Sequence, residues 1–313
     1  MKKIYLLLLV LILAACGRNG DGEERVYPDV PLMWRATSPD GNSIYLFGTM
    51  HLGSPDLFPL PDFIMDAFNR SDYLAVEWNM LAELSQEEQS EEARFLVSLG
   101  FYTDGRTIVD CIGADLHERL VDVATQHGFG ETAEAFLYAK PWTWYALVVG
   151  FPLLETELTG HAFGHGYDVD SHLKREAINR GMPILNVEPR RMAQIVLTTF
   201  STDLVVTMLE NSLQNTGTDA HNFRNMYYAW QRGDKEWFLN DWATVLETKG
   251  EHAYEFNNAM LTQRDIDMTQ VAKGYMTDGK SVFFAVGLYH FLHDESIIQL
   301  LIREGYEVVR IYN

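Results

Sequence analysis

Two histidines occupy matching settings near opposite ends of the chain. Leu46-Phe47-Gly48-Thr49-Met50-His51 carries an apolar run to His51, and Phe283-Phe284-Ala285-Val286-Gly287-Leu288-Tyr289-His290 carries another to His290. In each, a glycine stands three residues before the histidine, removing a side chain where a ligand or a second backbone needs to come close. A third chemical group, Glu77, directly follows the apolar Tyr73-Leu74-Ala75-Val76; a carboxylate so placed needs a partner. Two imidazoles and one carboxylate are a set that holds a divalent ion while leaving a position open for water. The same residues also serve elsewhere as hydrogen-bonded structural groups, and a Gly-x-x-His spacing alone does not separate the two uses.

The flanking pattern says what must position these groups. After His51 comes a helix-like segment, Pro61 to Phe68, and then the strand-like Tyr73 to Val76; after His290 come Glu295 to Glu304 and Val308 to Ile311. The periodicities predict two related strand, GxxH, helix, strand units. Open α/β sheets place functional residues beyond the carboxyl ends of strands, which is where both histidines fall. The expected fold is therefore α/β (α+β), with a central mixed sheet assembled from the two units. Leu32 to Ala36 and Ser43 to Phe47 flank a turn-rich Ser38-Pro39-Asp40-Gly41-Asn42 and predict a hairpin feeding the first unit. Pro183 to Glu188 reads as a further buried strand. The rest of the middle reads as helix, broken near Asn215 to Asp219 and at Arg232-Gly233-Asp234. This helical insertion is the natural source of walls and a lid for a site built by the two ends.

Other residues compete for functional roles. Asp168 and Asp170 open a helix, where exposed amides and the dipole favour carboxylates, so helix capping accounts for them. Glu188, at a strand end, fits either a supporting role at the site or a structural ion pair. His293 can approach the site beside His290 or lie at the surface. His161 and His165 have i, i+4 spacing but sit among glycines in a loop-like segment. The aromatic Pro141-Trp142-Thr143-Trp144-Tyr145 fits a core, and the acidic Glu87 to Glu92 fits a solvated helix face. The chain has no GxSxG, GxGxxG or Walker A pattern, which argues against a nucleophile elbow and the commoner nucleotide sites.

At the amino terminus Lys2-Lys3, an apolar run from Ile4 to Ala15 and Leu13-Ala14-Ala15-Cys16 form a signal peptide with a lipobox-like end. The expected organisation is a signal over 1–15, a lipidated Cys16 opening a polar tether over 16–29, and a domain over 30–313. Lipidation leaves Cys111 as the free cysteine and allows no intramolecular disulfide, so stability must come from the core. With 47% hydrophobic residues, 17 Phe and 7 Trp, there is ample material for one. The formal charge of -20 opposes binding to nucleic acid and to anionic lipid. Attachment to the membrane then falls to the lipid, and the expected location is the bacterial cell envelope, at the outer membrane or facing the periplasm.

Gly48 to Gly53, Glu77, Gly166-Tyr167-Asp168, Glu188 with Gln194, Gly287 to His290 and the closing Gly305-Tyr306-Glu307-Val308 together resemble the TraB/PrgY/GumN family over nearly all of the chain beyond the tether. The resemblance implies a fold similar to that of erythromycin esterase and ChaN-like proteins. It also implies a Tiki-like, metal-dependent peptidase in which His51, His290 and Glu77 are the metal and catalytic residues, with manganese, cobalt or zinc as the ion and a peptide or protein as substrate. It further suggests that Arg264 polarises a carbonyl. Three positions depart from the family pattern. Leu288 and Tyr289 replace small residues, His293 stands where glycine is common, and Arg264-Asp265 replaces an Arg-Asn pair. A lipoprotein that captures a peptide or other ligand without cleaving it is the alternative function.

Overall fold

The structure, a computed structural model, describes residues 30–51, 53–79, 85–158, 167–214 and 219–312. The signal, the tether with Cys16, and the His161 and His165 pair lie outside these residues. Strands Met33–Thr37 (β1), Ser43–Thr49 (β2), Tyr73–Val76 (β3), Ile184–Asn186 (β4), Val282–Gly287 (β5) and Glu307–Arg310 (β6) form one mixed sheet in the order β4-β3-β5-β2-β1-β6.

β1 and β2 form the expected antiparallel hairpin, Met33 facing Phe47 and Thr37 facing Ser43. Its turn closes through Gly41, whose φ of 87° favours glycine, with the Gly41 N–H donating to the Ser38 carbonyl at 2.9 Å. The two strands that end in Gly-x-x-His lie side by side and parallel, with Thr49 opposite Gly287. β3 pairs parallel with the other side of β5, Val76 facing Ala285, and β4 follows it, also parallel. β5 thus sits mid-sheet; the Val282 to Val286 run is fully buried, as an apolar strand covered on both faces should be.

The second strands of the two units take different places. β3 lies one strand beyond β5, whereas β6 crosses to the far edge and pairs antiparallel with β1. Only β1 runs against the others, so the carboxyl ends of β2, β3, β4 and β5 open on one side of the sheet. β4, expected as a buried strand, is an edge strand with partly exposed side chains, because among the described residues no strand pairs beyond it.

The unit helices are Asp62–Asn69 (α1) and, late in the chain, Ile297–Arg303. Between them the insertion supplies Gln86–Gly100 (α2), Ala114–Gln126 (α3), Pro141–Leu158 (α4), Val169–Asn179 (α5), Met192–Thr199 (α6), Thr202–Gln214 (α7), Asp219–Arg232 (α8), Lys235–Glu247 (α9) and Gln263–Thr277 (α10). Ser85 and Glu88 close a capping box at the start of α2. Its acidic face is exposed except at Glu92, which is buried and paired with Arg191 through two hydrogen bonds. Trp142, Trp144 and Tyr145 are buried, as a core reading of that segment requires. A π-turn at Asn258–Thr262 precedes α10 directly, a local insertion of the kind common near functional sites.

Candidate functional site

The carboxyl ends of β2, β5 and β3 deliver His51, His290 and Glu77 to one point. His51 Nε2 and His290 Nε2 each stand 3.9 Å from the same oxygen, Glu77 Oε1. Glycine makes this convergence possible. A Cβ on Gly287 would lie 3.1 Å from Glu77 Oε1, 3.6 Å from His51 Nε2 and 3.7 Å from His290 Cδ2. On Gly48 it would strike Leu288 Cδ1 at 2.3 Å, and on Gly53 the Tyr167 carbonyl oxygen at 1.9 Å. The motif glycines therefore seat the two histidine loops against each other and against the start of α5.

Each histidine is oriented through its other nitrogen. The His51 Nδ1–H donates to Asp170 Oδ2 at 2.9 Å, while Asp170 Oδ1 accepts from Thr49 Oγ1 at 2.8 Å. The His290 Nδ1–H donates to Asp265 Oδ1, and the other oxygen of the fully buried Asp265 accepts from His293 Nε2. A carboxylate on Nδ1 turns the Nε2 lone pair of a neutral imidazole toward the site, the usual support of metal-binding histidines.

Glu77 is held by Arg264 and by backbone. Its Oε1 accepts from the Gly287 N–H at 2.8 Å and its Oε2 from Arg264 Nη2 at 2.9 Å. Arg264 also binds Glu188 through Nε and Nη2, both at 2.7 Å, and donates to the Met260 carbonyl from Nη1. Buried and spanning two glutamates, Arg264 acts in this arrangement as a strut for Glu77, and Glu188 is both its ion-pair partner and the anchor of that strut. Asp168 caps α5 by accepting from the Ser171 N–H at 2.7 Å.

The charges are strongly coupled. Burial opposes a proton on His51, but Asp170, Glu77 and Asp168 outweigh it and raise the imidazole to about 9. Burial pushes Glu77 and Asp170 up, yet Arg264 and the two histidines hold Glu77 well below the usual carboxylate range, and His51 lowers Asp170.

These groups line a small apolar pocket with a cavity volume of about 30 Å³. Its walls are Met226 and Trp230 of α8, Phe238 and Trp242 of α9, Leu261 of the π-turn, and Leu288 and Tyr289. The helical insertion thus furnishes the walls, and the two bulky residues that depart from the family pattern narrow the pocket beside His290.

Among the described residues, no group of three or more His, Cys, Asp and Glu side chains meets the spacing of a metal site as the side chains stand. The donor chemistry nevertheless fits one. Both Nε2 atoms face a shared carboxylate oxygen, both Nδ1 atoms are committed to carboxylates, and Gly287 keeps the space between them clear.

Sequence reasoning assigned Asp170 to helix capping, and the structure corrects this: Asp168 is the cap, and Asp170 faces His51. It also missed Thr49 and the role of Asp265. The available signal was the pair of departures at positions 265 and 293, which prove to be bonded to each other.

A mixed sheet presenting two histidines and a glutamate at its strand ends, under an apolar helical cover, defines a class of α/β protein with a crevice at the carboxyl ends of its strands. Residues 32–310 match the TraB/PrgY/gumN family, and the chain belongs to that family. No curated protein matches it.

Proposed function

We propose that the protein is a metal-dependent hydrolase acting on peptide bonds, with His51, His290 and Glu77 holding a divalent ion, manganese, cobalt or zinc. The observation that carries this reading is the convergence of both Nε2 atoms on Glu77 Oε1, each histidine being backed by a buried carboxylate. A divalent ion supplies Lewis acidity, polarising a carbonyl and acidifying water. The chain's own residues do the rest. Asp170 and Asp265 fix the tautomers of His51 and His290. Arg264 and the Gly287 N–H hold Glu77 ionised and oriented, which leaves Oε1 one lone pair with which to ligate the ion. The apolar walls exclude water, strengthening every charge interaction on the floor.

Capture without turnover remains the second reading, and one observation favours it: both oxygens of Glu77 already accept hydrogen bonds, from Gly287 and Arg264. One comparison separates the two. Cleavage of a peptide mixture that needs added manganese, cobalt or zinc and disappears in His51→Ala supports the hydrolase. Retention of peptides without products by the native chain supports capture.

For location, we infer attachment at the bacterial cell envelope through a lipid on Cys16. The lipobox-like sequence supports this, as does the acidic charge that opposes direct adsorption. Among the described residues no single helix is long and apolar enough to span a bilayer.

A further inference from the structure

His293 lines no part of the pocket, yet its ring is held from both sides. It stands in the turn between Leu288–Phe291 and the last helix, Ile297–Arg303. That turn is closed by the fully buried Ser296, whose N–H donates to the His293 carbonyl at 3.1 Å. The Glu295 N–H donates to His293 Nδ1 at 3.3 Å. A ring nitrogen that accepts a hydrogen bond carries no proton, so this network assigns His293 as the neutral tautomer with its proton on Nε2. There it donates to Asp265 Oδ2 at 2.5 Å.

Asp265, on α10, is fully buried, and its charge needs a donor at each oxygen. Oδ1 takes the His290 Nδ1–H and Oδ2 the His293 Nε2–H. With both oxygens filled, the carboxylate has one orientation, and so does the His290 ring bonded to it. The support of His51 is built differently: the second partner of Asp170 is the hydroxyl of Thr49, two residues before His51 on the same segment. His290 alone of the two depends on a second imidazole.

We propose that His293 is a positioning residue for the ion: by filling Asp265 Oδ2 it fixes the aim of the His290 Nε2 lone pair, and so sets the preference of the site for zinc and cobalt over manganese. The inference rests on the metal reading above and adds its selectivity. Without the His293 donor Asp265 is free to turn, and His290 loses both its fixed tautomer and its direction. Imidazole suits zinc and cobalt, whereas manganese favours carboxylate and water, so a poorly aimed His290 costs manganese least.

The test compares the native full-length chain with His293→Leu, which removes the donor and leaves no room for a water in its place, and with His293→Gln, whose amide N–H reaches the same oxygen. Calorimetric titration gives the affinities for zinc, cobalt and manganese, and the visible absorption of the cobalt-loaded protein reports the ligands around the ion. In His293→Leu the zinc and cobalt affinities should fall about tenfold and the manganese affinity by less than about threefold. The cobalt bands should move, and His293→Gln should restore bands and affinities together. Equal losses for all three ions, an unchanged cobalt spectrum in folded His293→Leu, or no restoration by His293→Gln overturns the proposal. Should His293→Leu fail to fold by circular dichroism, nitrogen NMR of the histidine-labelled native chain at pH 8 decides: a neutral His293 with its proton on Nε2 supports the assignment, and a ring protonated on Nδ1 overturns it. If the native chain binds none of the three ions, the metal reading fails. The positioning of His290 is then judged in the metal-free protein from its Nδ1 proton resonance, which should shift in His293→Leu and return in His293→Gln; a resonance indifferent to both substitutions overturns it.

Discussion

Replacing Asp170 by Asn tests how the site handles protons. In the native chain Asp170 receives the His51 Nδ1–H at 2.9 Å and is the main cause of that imidazole's rise to about 9. Before His51 can bind a cation through Nε2 it must lose a proton, so cation affinity should rise about tenfold per pH unit while the imidazole is mostly protonated. Between pH 7 and 9 this amounts to roughly 100-fold at most. A third of the His51 side chain is open to water, and screening will draw the break in the curve down to between about pH 8 and 9. In Asp170→Asn the amide oxygen can still accept from Nδ1–H while Thr49 turns to accept from the amide nitrogen, so the geometry survives but the charge is gone. Affinity at pH 9 should fall about 10- to 100-fold, as is usual when a carboxylate supporting a metal histidine is lost. Its pH dependence above pH 7 should weaken, because the largest charge holding a proton on His51 is then gone. Calorimetric titration with manganese or cobalt at half-unit steps from pH 6.5 to 9.5 measures both effects. Parallel pH slopes for the native and Asn proteins would refute the reasoning.

Gly287→Ala places a methyl group 3.1 Å from Glu77 Oε1 at a backbone φ of -50° that alanine accepts. Stability should change by less than about 1 kcal/mol in denaturant melts, while cation affinity falls about tenfold or more. Asp241, raised to about 6 by burial despite the Tyr289 hydroxyl, costs the native state stability as pH rises from the ordinary carboxylate value through 6. Asp241→Asn should therefore be more stable than the native protein by about 1 to 3 kcal/mol at pH 7.5, and the gain should disappear at pH 3.5. Asp265→Asn and His293→Gly restore the family pattern at two bonded positions. A double-mutant cycle on unfolding should show coupling of about 1 to 3 kcal/mol, and strict additivity would mean the contact is energetically idle. Cys16→Ser should abolish lipid labelling; continued labelling would defeat the anchor assignment.

The residues readable from sequence share one property: local surroundings gave no other reason for them. His51 and His290 end apolar runs in repeated Gly-x-x-His settings, and Glu77 ends another, so their strand-end positions and common edge followed from pattern alone. Asp170 was hidden because a carboxylate in the first turn of a helix already has a local explanation. Asp265 lay in a buried helix without a clear polar face, and its partners are 25 and 28 residues away. Met226 and Trp230, four residues apart on α8, carry the same spacing whether they face a core or a pocket. The hairpin and the helical insertion were legible for similar reasons of periodicity and turn chemistry. The far-edge position of β6 was not, because a strand's partner is chosen by packing across the whole sheet.

The most direct measurement is anomalous X-ray diffraction at the manganese edge from crystals grown with the ion. The account predicts one peak in the space kept clear by Gly287, about 2.0 to 2.3 Å from both His51 Nε2 and His290 Nε2, with Glu77 Oε1 as a third ligand. Ordered density for both imidazoles with no peak between them, or a peak bound only by other residues, would contradict it.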